Sequence, residues 1–164
     1  MVFYDLIVRI VSENIKEIRI KDSYFEWYFK LNCVMCQSEQ PNEIYFTNID
    51  EIEMQNGHGT ANFIMNCKYC SKKMSISIYN KSKLYISCEN GNDEEVLATF
   101  DSRGCEITKW SPKEGFNIMS MESEKCFEDV DLNDIWCEYD EIAGINCSLL
   151  EPVNYRIEKN KSIK

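Results

Sequence analysis

The sequence predicts an all-β fold, and three observations carry that prediction. Apolar and polar residues alternate with period two in one run after another. No long stretch sustains the 3.6-residue period of an amphipathic helix. β-Branched and aromatic residues crowd the alternating runs, and Asn-Gly pairs, which tolerate positive φ, mark turns between them. The 164 residues are 44% hydrophobic, enough for a core in one domain or in two small, closely packed halves. Three prolines and six glycines leave no long flexible linker.

The runs follow in order. Residues 6–10 and 16–20 are rich in β-branched side chains and read as strands. Residues 24–31, YFEWYFKL, form a dense aromatic strand with one face well buried. Residues 44–47, 61–65, 74–79 and 83–87 keep the same habit, with turns expected at Asn56-Gly57 and Asn90-Gly91. In the second half, 96–101, 106–110, 117–121 and 148–157 are further strands. Segment 131–140 reads as a short helix or an irregular acidic stretch, and the polar tail 158–164 is expected to fray.

Composition excludes several functions. Eighteen basic residues against 28 acidic ones give a net charge of -10, which repels nucleic acid and anionic lipid. No apolar run approaches the roughly 18 to 20 residues of a membrane span. The apolar start, residues 1–10, carries Asp5 and Arg9 and lacks the uninterrupted core of a signal peptide. The expectation is a cytoplasmic protein with no nucleic-acid or membrane partner, a monomer rather than an oligomer.

The chain has nine cysteines. An odd number without a secretion signal argues against a disulfide framework and leaves reduced thiols, as buried small hydrophobes or metal ligands. A sharp internal repeat selects four of them. Phe29-Lys-Leu-Asn-Cys33-Val-Met-Cys36 recurs as Phe63-Ile-Met-Asn-Cys67-Lys-Tyr-Cys70, at an offset of 34. Two residues between cysteines let a tight turn aim both sulfurs at one point, and two such turns facing each other complete a tetrahedral thiolate site for one Zn²⁺. Two CxxC pairs arise by chance in roughly one shuffled chain of this composition in ten, so the shared Phe-x-x-Asn context matters more than the spacing. The thirty residues between Cys36 and Cys67 exceed the common spacing, but loop closure costs only about 0.6 kcal/mol per doubling of length. Lys30, Lys68, Lys72 and Lys73 stand beside the ligands, either softening the charge of a four-thiolate site or simply solvated. A fainter repeat, Ser12-Glu-Asn-Ile15 against Ser102-Arg-Gly-Cys105 at an offset near 90, hints that two halves share an ancestor and that one kept the metal.

These residues resemble the eukaryotic CXXC motif-containing zinc binding proteins, over almost the whole chain. The resemblance is carried by Trp27-Tyr28, by the 29–36 knuckle, and by Gly57-His-Gly-Thr-Ala-Asn62 leading into Cys67-Lys-Tyr-Cys70. It continues through Arg103-Gly104-Cys-Glu106, Glu122-Ser123, Val130-Asp-Leu132, and Trp136 with Tyr139-Asp140-Glu141. It implies an all-β protein of two similar packed sandwich-like or barrel-like halves, residues 1–87 with the zinc knuckles and 88–164 without metal, forming one compact unit. It implies no established reaction. Gln37 and Ser71 depart from many zinc knuckles, in which glycine often follows the second cysteine.

No nucleophile motif or P-loop accompanies the lone His58, which is expected to serve a turn or packing role. The acidic segment bounded by Glu122 and Glu141 interleaves Phe127, Leu132, Ile135, Trp136 and Tyr139 with its charges. It either docks a basic protein partner or packs its aromatics inward. Arg103 is expected in an ion pair with Glu106 or with that segment. Cys88, Cys105, Cys126, Cys137 and Cys147 have no mutual ligand spacing and are expected to be buried thiols, Cys88 being the candidate for exposure. The leading functional expectation is a zinc-stabilised adaptor that is not an enzyme. One rival is a metal-handling protein that exchanges zinc or another thiophilic ion. The other is a CxxC oxidoreductase, for which strand-like sequence after each pair is the wrong setting.

Overall fold

A computed structural model describes residues 1–55 and 59–163. The expected turn at Asn56-Gly57 and the lone His58 lie outside the described residues. Strands β1 to β16 run through the described residues, which contain no α-helix.

The centre is a long antiparallel ribbon of β1 (Val2–Glu13) and β10 (Asn92–Arg103). Leu6, Val8 and Ile10 are buried along one of its strands, and Leu97, Ala98 and Phe100 along the other. β16 (Asn154–Asn160) pairs with the other edge of β1, from Phe3↔Asn160 to Arg9↔Asn154. At the Arg103 end of the ribbon β10 continues into β8 (Lys73–Ile78) and β7 (Phe63–Asn66). At the Glu13 end β1 continues into β15 (Ile145–Leu149) and β14 (Trp136–Asp140). Two smaller sheets cover this frame. One is β11 (Cys105–Trp110), β3 (Glu26–Cys33) and β4 (Ile44–Thr47). The other is β13 (Cys126–Val130), β12 (Phe116–Ser120), β2 (Ile15–Ile20) and β9 (Tyr85–Ser87). β5 (Ile52–Glu53) and β6 (Thr60–Ala61) form a short ribbon beside β8. Trp27, Phe29, Phe46 and Phe100 fill the core between the sheets, with Phe100 edge-on to Trp27, Phe29 and Phe46.

The order of elements repeats. β1–β2–β3 and β10–β11–β12 have matching lengths in their first two strands, and a single left-handed residue turns each corner, Asn14 (φ 62°) and Gly104 (φ 77°). The third strands are exchanged: β3 pairs with β11, and β12 pairs with β2. Each small sheet therefore contains strands from both repeats. Cys33 faces Cys105 across one junction as Ser120 faces Ile15 across the other.

Several expected elements differ. Residues 136–140 are strand β14, not helix, because the acidic residues before it are taken up in a turn where Asp131 accepts the Asn133 amide. The expected strand 148–157 is two strands, broken around Pro152, which has no amide hydrogen to donate. β13 was not anticipated: Asp129 sits at φ 57° in an irregular register, so only Phe127 and Val130 face inward and the alternation is lost. The first part of the tail expected to fray lies in strand β16, which runs to Asn160, whose side-chain amide donates to the Asp5 carboxylate. Cys88 is buried rather than exposed, whereas Cys126 and Cys137 are exposed rather than buried.

Candidate metal centre

Strand β3 ends in the turn 33–36, and strand β7 leads into the turn 67–70. The two turns have the same backbone. The Cys33 and Cys67 amides donate five residues ahead, to the Ser38 and Lys72 carbonyls, while the Gln37 and Ser71 amides return to the Cys33 and Cys67 carbonyls. Each turn exits through a left-handed residue, Gln37 at φ 59° and Ser71 at φ 63°. These are the positions where glycine often follows the second cysteine of a knuckle, so the sequence departure is accommodated without losing the turn.

The turns bring together the four predicted ligands. The sulfurs of Cys33, Cys36, Cys67 and Cys70 all lie within 4.8 Å of one another. Sγ of Cys33 is 3.6 Å from that of Cys70, and Sγ of Cys36 is 3.7 Å from that of Cys67. A tetrahedron of sulfurs ~2.3 Å from a central ion has edges of ~3.8 Å, so the spacing fits one zinc ion and is far too long for disulfide bonds of ~2.05 Å. All four are free thiols. Cys33 and Cys67 are buried and Cys36 half-buried, while Cys70 is exposed at the rim.

Hydrogen bonds aimed at the sulfurs favour thiolates. The backbone amide of Cys70, helped by those of Tyr69 and the Gln40 side chain, outweighs desolvation and pulls the Cys67 thiol down to about 6. The Ser38 hydroxyl and then its amide lower Cys36. The Lys72 amide acts in the same direction on Cys70, but desolvation and the sulfurs of Cys33, Cys67 and Cys36 push it up to about 11.

Three further residues build the site: Gln40 and Ser38 carried no signal in the sequence, and Gly104 entered it only within the 102–106 motifs, with no role at the metal. Gln40 is buried, donates from Nε2 to Cys67 Sγ at 3.2 Å and accepts the Lys68 amide at 3.0 Å, joining one turn to the other. Ser38 serves Cys36. Gly104 accepts the Val34 amide, and a Cβ there would meet the Lys73 carbonyl oxygen at 2.4 Å. Lys68, Lys72 and Lys73 are exposed, and with Lys30 they form no ion pair among the described residues. Arg103 pairs with Asp101 at 3.4 Å, not with Glu106 or the acidic segment.

That segment divides. Phe127 and Leu132 are core residues and Trp136 packs edge-on to Phe127, while Ile135 and Tyr139 point outward. Asp140 is fully buried. No helix among the described residues is long and apolar enough to cross a membrane.

The fold and the sequence have counterparts. A crystal structure of C1orf123 superposes with a TM-score of 0.90 at 27% identity, over 96% of this chain and 99% of that one. The human CXXC motif containing zinc binding protein is 28% identical over 145 residues, 88% of this chain and 91% of the human protein. The Drosophila melanogaster UPF0587 protein CG4646 is 33% identical over 63 residues, and that alignment spans 39% of the fly protein. The sequence profile described as CXXC motif containing zinc binding protein, eukaryotic, matches residues 5–158.

Proposed function

Because this chain belongs to the eukaryotic CXXC motif containing zinc binding family, we propose that it is a zinc-stabilised binding module that performs no catalysis of its own. The closed set of four sulfurs supports the first part: with four thiolates bound, zinc has its full tetrahedral shell and holds two turns together instead of polarising a substrate. One ion per chain ties β3 to β7, segments far apart in sequence. The knuckle tips between the ligands present Val34, Met35 and Tyr69 to solvent from this rigid support.

The adaptor role rests on the acidic face of residues 122–141. Ile135 and Tyr139 are exposed in the same segment as the exposed Asp131, Asp134 and Glu138, a combination suited to a basic protein partner with apolar anchors. Asp140 does not belong to that surface. Removing zinc with a chelator is expected to release one ion per chain with loss of β structure around the knuckles; full stability after complete removal would overturn the structural role. Reversing Asp131, Asp134 and Glu138 to lysine is expected to abolish capture of a basic partner while leaving the zinc content unchanged.

A second reading, zinc exchange, is favoured by one observation: Cys70 is exposed at the rim of an otherwise covered cluster. Competition against a chelator separates the two readings, since release slow against unfolding belongs to a structural ion and transfer within seconds to a handling site. The oxidoreductase alternative gains nothing, because each CxxC pair sits in a turn after a strand and the hydrogen-bonded sulfurs, Cys33 with Cys70 and Cys36 with Cys67, belong to different pairs.

A further inference from the structure

The repeat reaches as far as the metal centre. At the other end of the β1/β10 ribbon, roughly 40 Å away at about 3.3 Å per residue, β12 leads into a turn at residues 120–123 and β14 into a turn at 140–143. They have the knuckle backbone. Ser120 donates five residues ahead to the Lys125 carbonyl, as Cys33 and Cys67 do to theirs. The Gly144 amide returns to the Asp140 carbonyl, as Gln37 and Ser71 do. The exits are left-handed again, Glu124 at φ 59° and Gly144 at φ 70°. The first turn is held to the β1–β2 corner by the Met121 amide on the Asn14 carbonyl, as Val34 is held to Gly104. Ser120, Ser123, Asp140 and Ala143 therefore occupy the places of Cys33, Cys36, Cys67 and Cys70.

The side chains at these places converge. The Ser120 hydroxyl donates to Asp140 Oδ2 at 2.5 Å, and the Ser123 hydroxyl donates to the same oxygen. Oδ1 accepts the Ile142 and Ala143 amides at 3.0 and 3.2 Å. Their counterparts, the Tyr69 and Cys70 amides, are the ones that serve Cys67 Sγ. One buried carboxylate thus gathers both turns.

We propose that Asp140 is the metal-free fastener of a second knuckle pair, doing by hydrogen bonds what zinc does at the first, and that the pair remains a metal site in all but its ligands. The two ends are then secured independently. Chelation opens the turns at 33–36 and 67–70, and the 122–141 face stays assembled without zinc.

Hydrogen exchange on the full chain tests this. Chelation is expected to strip protection from the amides of Gln37, Cys67 and Ser71 and to spare those of Lys125, Ile142, Ala143 and Gly144. Asp140→Ala is expected to do the reverse, accelerating exchange at the second set by about tenfold or more with one zinc retained. Should Asp140→Ala fail to fold, Ser123→Ala gives the same pattern at smaller amplitude. The quadruple variant S120C/S123C/D140C/A143C is expected to bind two zinc ions per chain. Unchanged exchange at Lys125, Ile142 and Ala143 in both single variants, or a folded quadruple variant holding one zinc, would overturn the proposal.

Discussion

Single residues set the two ends of this molecule. Gly104 has the tightest constraint: its φ of 77° and the Lys73 carbonyl 2.4 Å from any Cβ leave room for no side chain. Gly104→Ala is expected to cost about 2–3 kcal/mol, read as a fall in the urea midpoint, and to weaken zinc retention because Val34 is anchored there. Gln40 acts through Cys67. Gln40→Leu removes a donor to the sulfur and an acceptor for the Lys68 amide, and is expected to lower zinc affinity about 10- to 100-fold in chelator competition with the fold retained. At the other end, burial acts to raise Asp140, but the hydroxyls of Ser120 and Ser123 and two amides outweigh it and hold the carboxyl at about 2. A carboxyl depressed below its unfolded value of about 3.9 stabilises the fold above that pH, and the contribution disappears as pH falls through about 2. Lys125 paired with Glu141, and Cys147 beneath, are the other titratable neighbours. The stability difference between wild type and Asp140→Asn is therefore expected to be constant above about pH 5 and to shrink as pH falls from there through about 2. The four cysteines were readable from spacing and repeated context. Gln40 was not, since a glutamine four residues past a ligand has no distinguishing pattern, and Asp140 stood out only as part of the 139–141 motif, its buried role hidden within an acidic run.

At the scale of elements, alternation identified the strands whose two faces differ. β3 shows this best, with Trp27, Phe29 and Leu31 buried and Tyr28 and Lys30 turned out. It failed where the backbone departs from a regular pleat. β13 contains a left-handed aspartate, and β14 buries only its last residue, so neither offers a clean period of two. The knuckle exits form a natural comparison set, because three of the four left-handed positions carry a side chain. Ser71→Gly is expected to raise stability by about 0.5–1 kcal/mol, and Gly144→Ala to lower it by about 1 kcal/mol, in denaturant titrations of the zinc-loaded protein. Equal effects at the two positions would show that local context outweighs the backbone term.

For the whole molecule, the exchanged third strands matter more than the repeated order of elements. A boundary near residue 87 divides the repeats in sequence, yet in space β2 lies between β12 and β9, and β3 lies between β11 and β4. Apart from the short β5–β6 ribbon, every sheet among the described residues combines strands from both halves. A fragment of residues 1–87 is expected to lack β10, β11 and β12 as partners and to show no cooperative thermal transition even with zinc, whereas the full chain melts in one step. The faint repeat of Ser12-Glu-Asn-Ile15 and Ser102-Arg-Gly-Cys105 corresponds to a repeated structural corner, with one left-handed residue after a serine that is buried in each. The exchange left no trace in the sequence, since a strand's pattern records which face is buried and not which neighbour it bonds.

The pairing of Phe3 with Asn160 brings the first and last strands side by side. A short peptide joining those ends would span little more than the gap between neighbouring strands, about 5 Å. Circular permutants reopened in the 111–115 connection would keep every sheet intact while reversing the order in which the knuckles and their serine–aspartate counterparts leave the ribosome. Folding such a chain beside the natural one would show which fastener must close first.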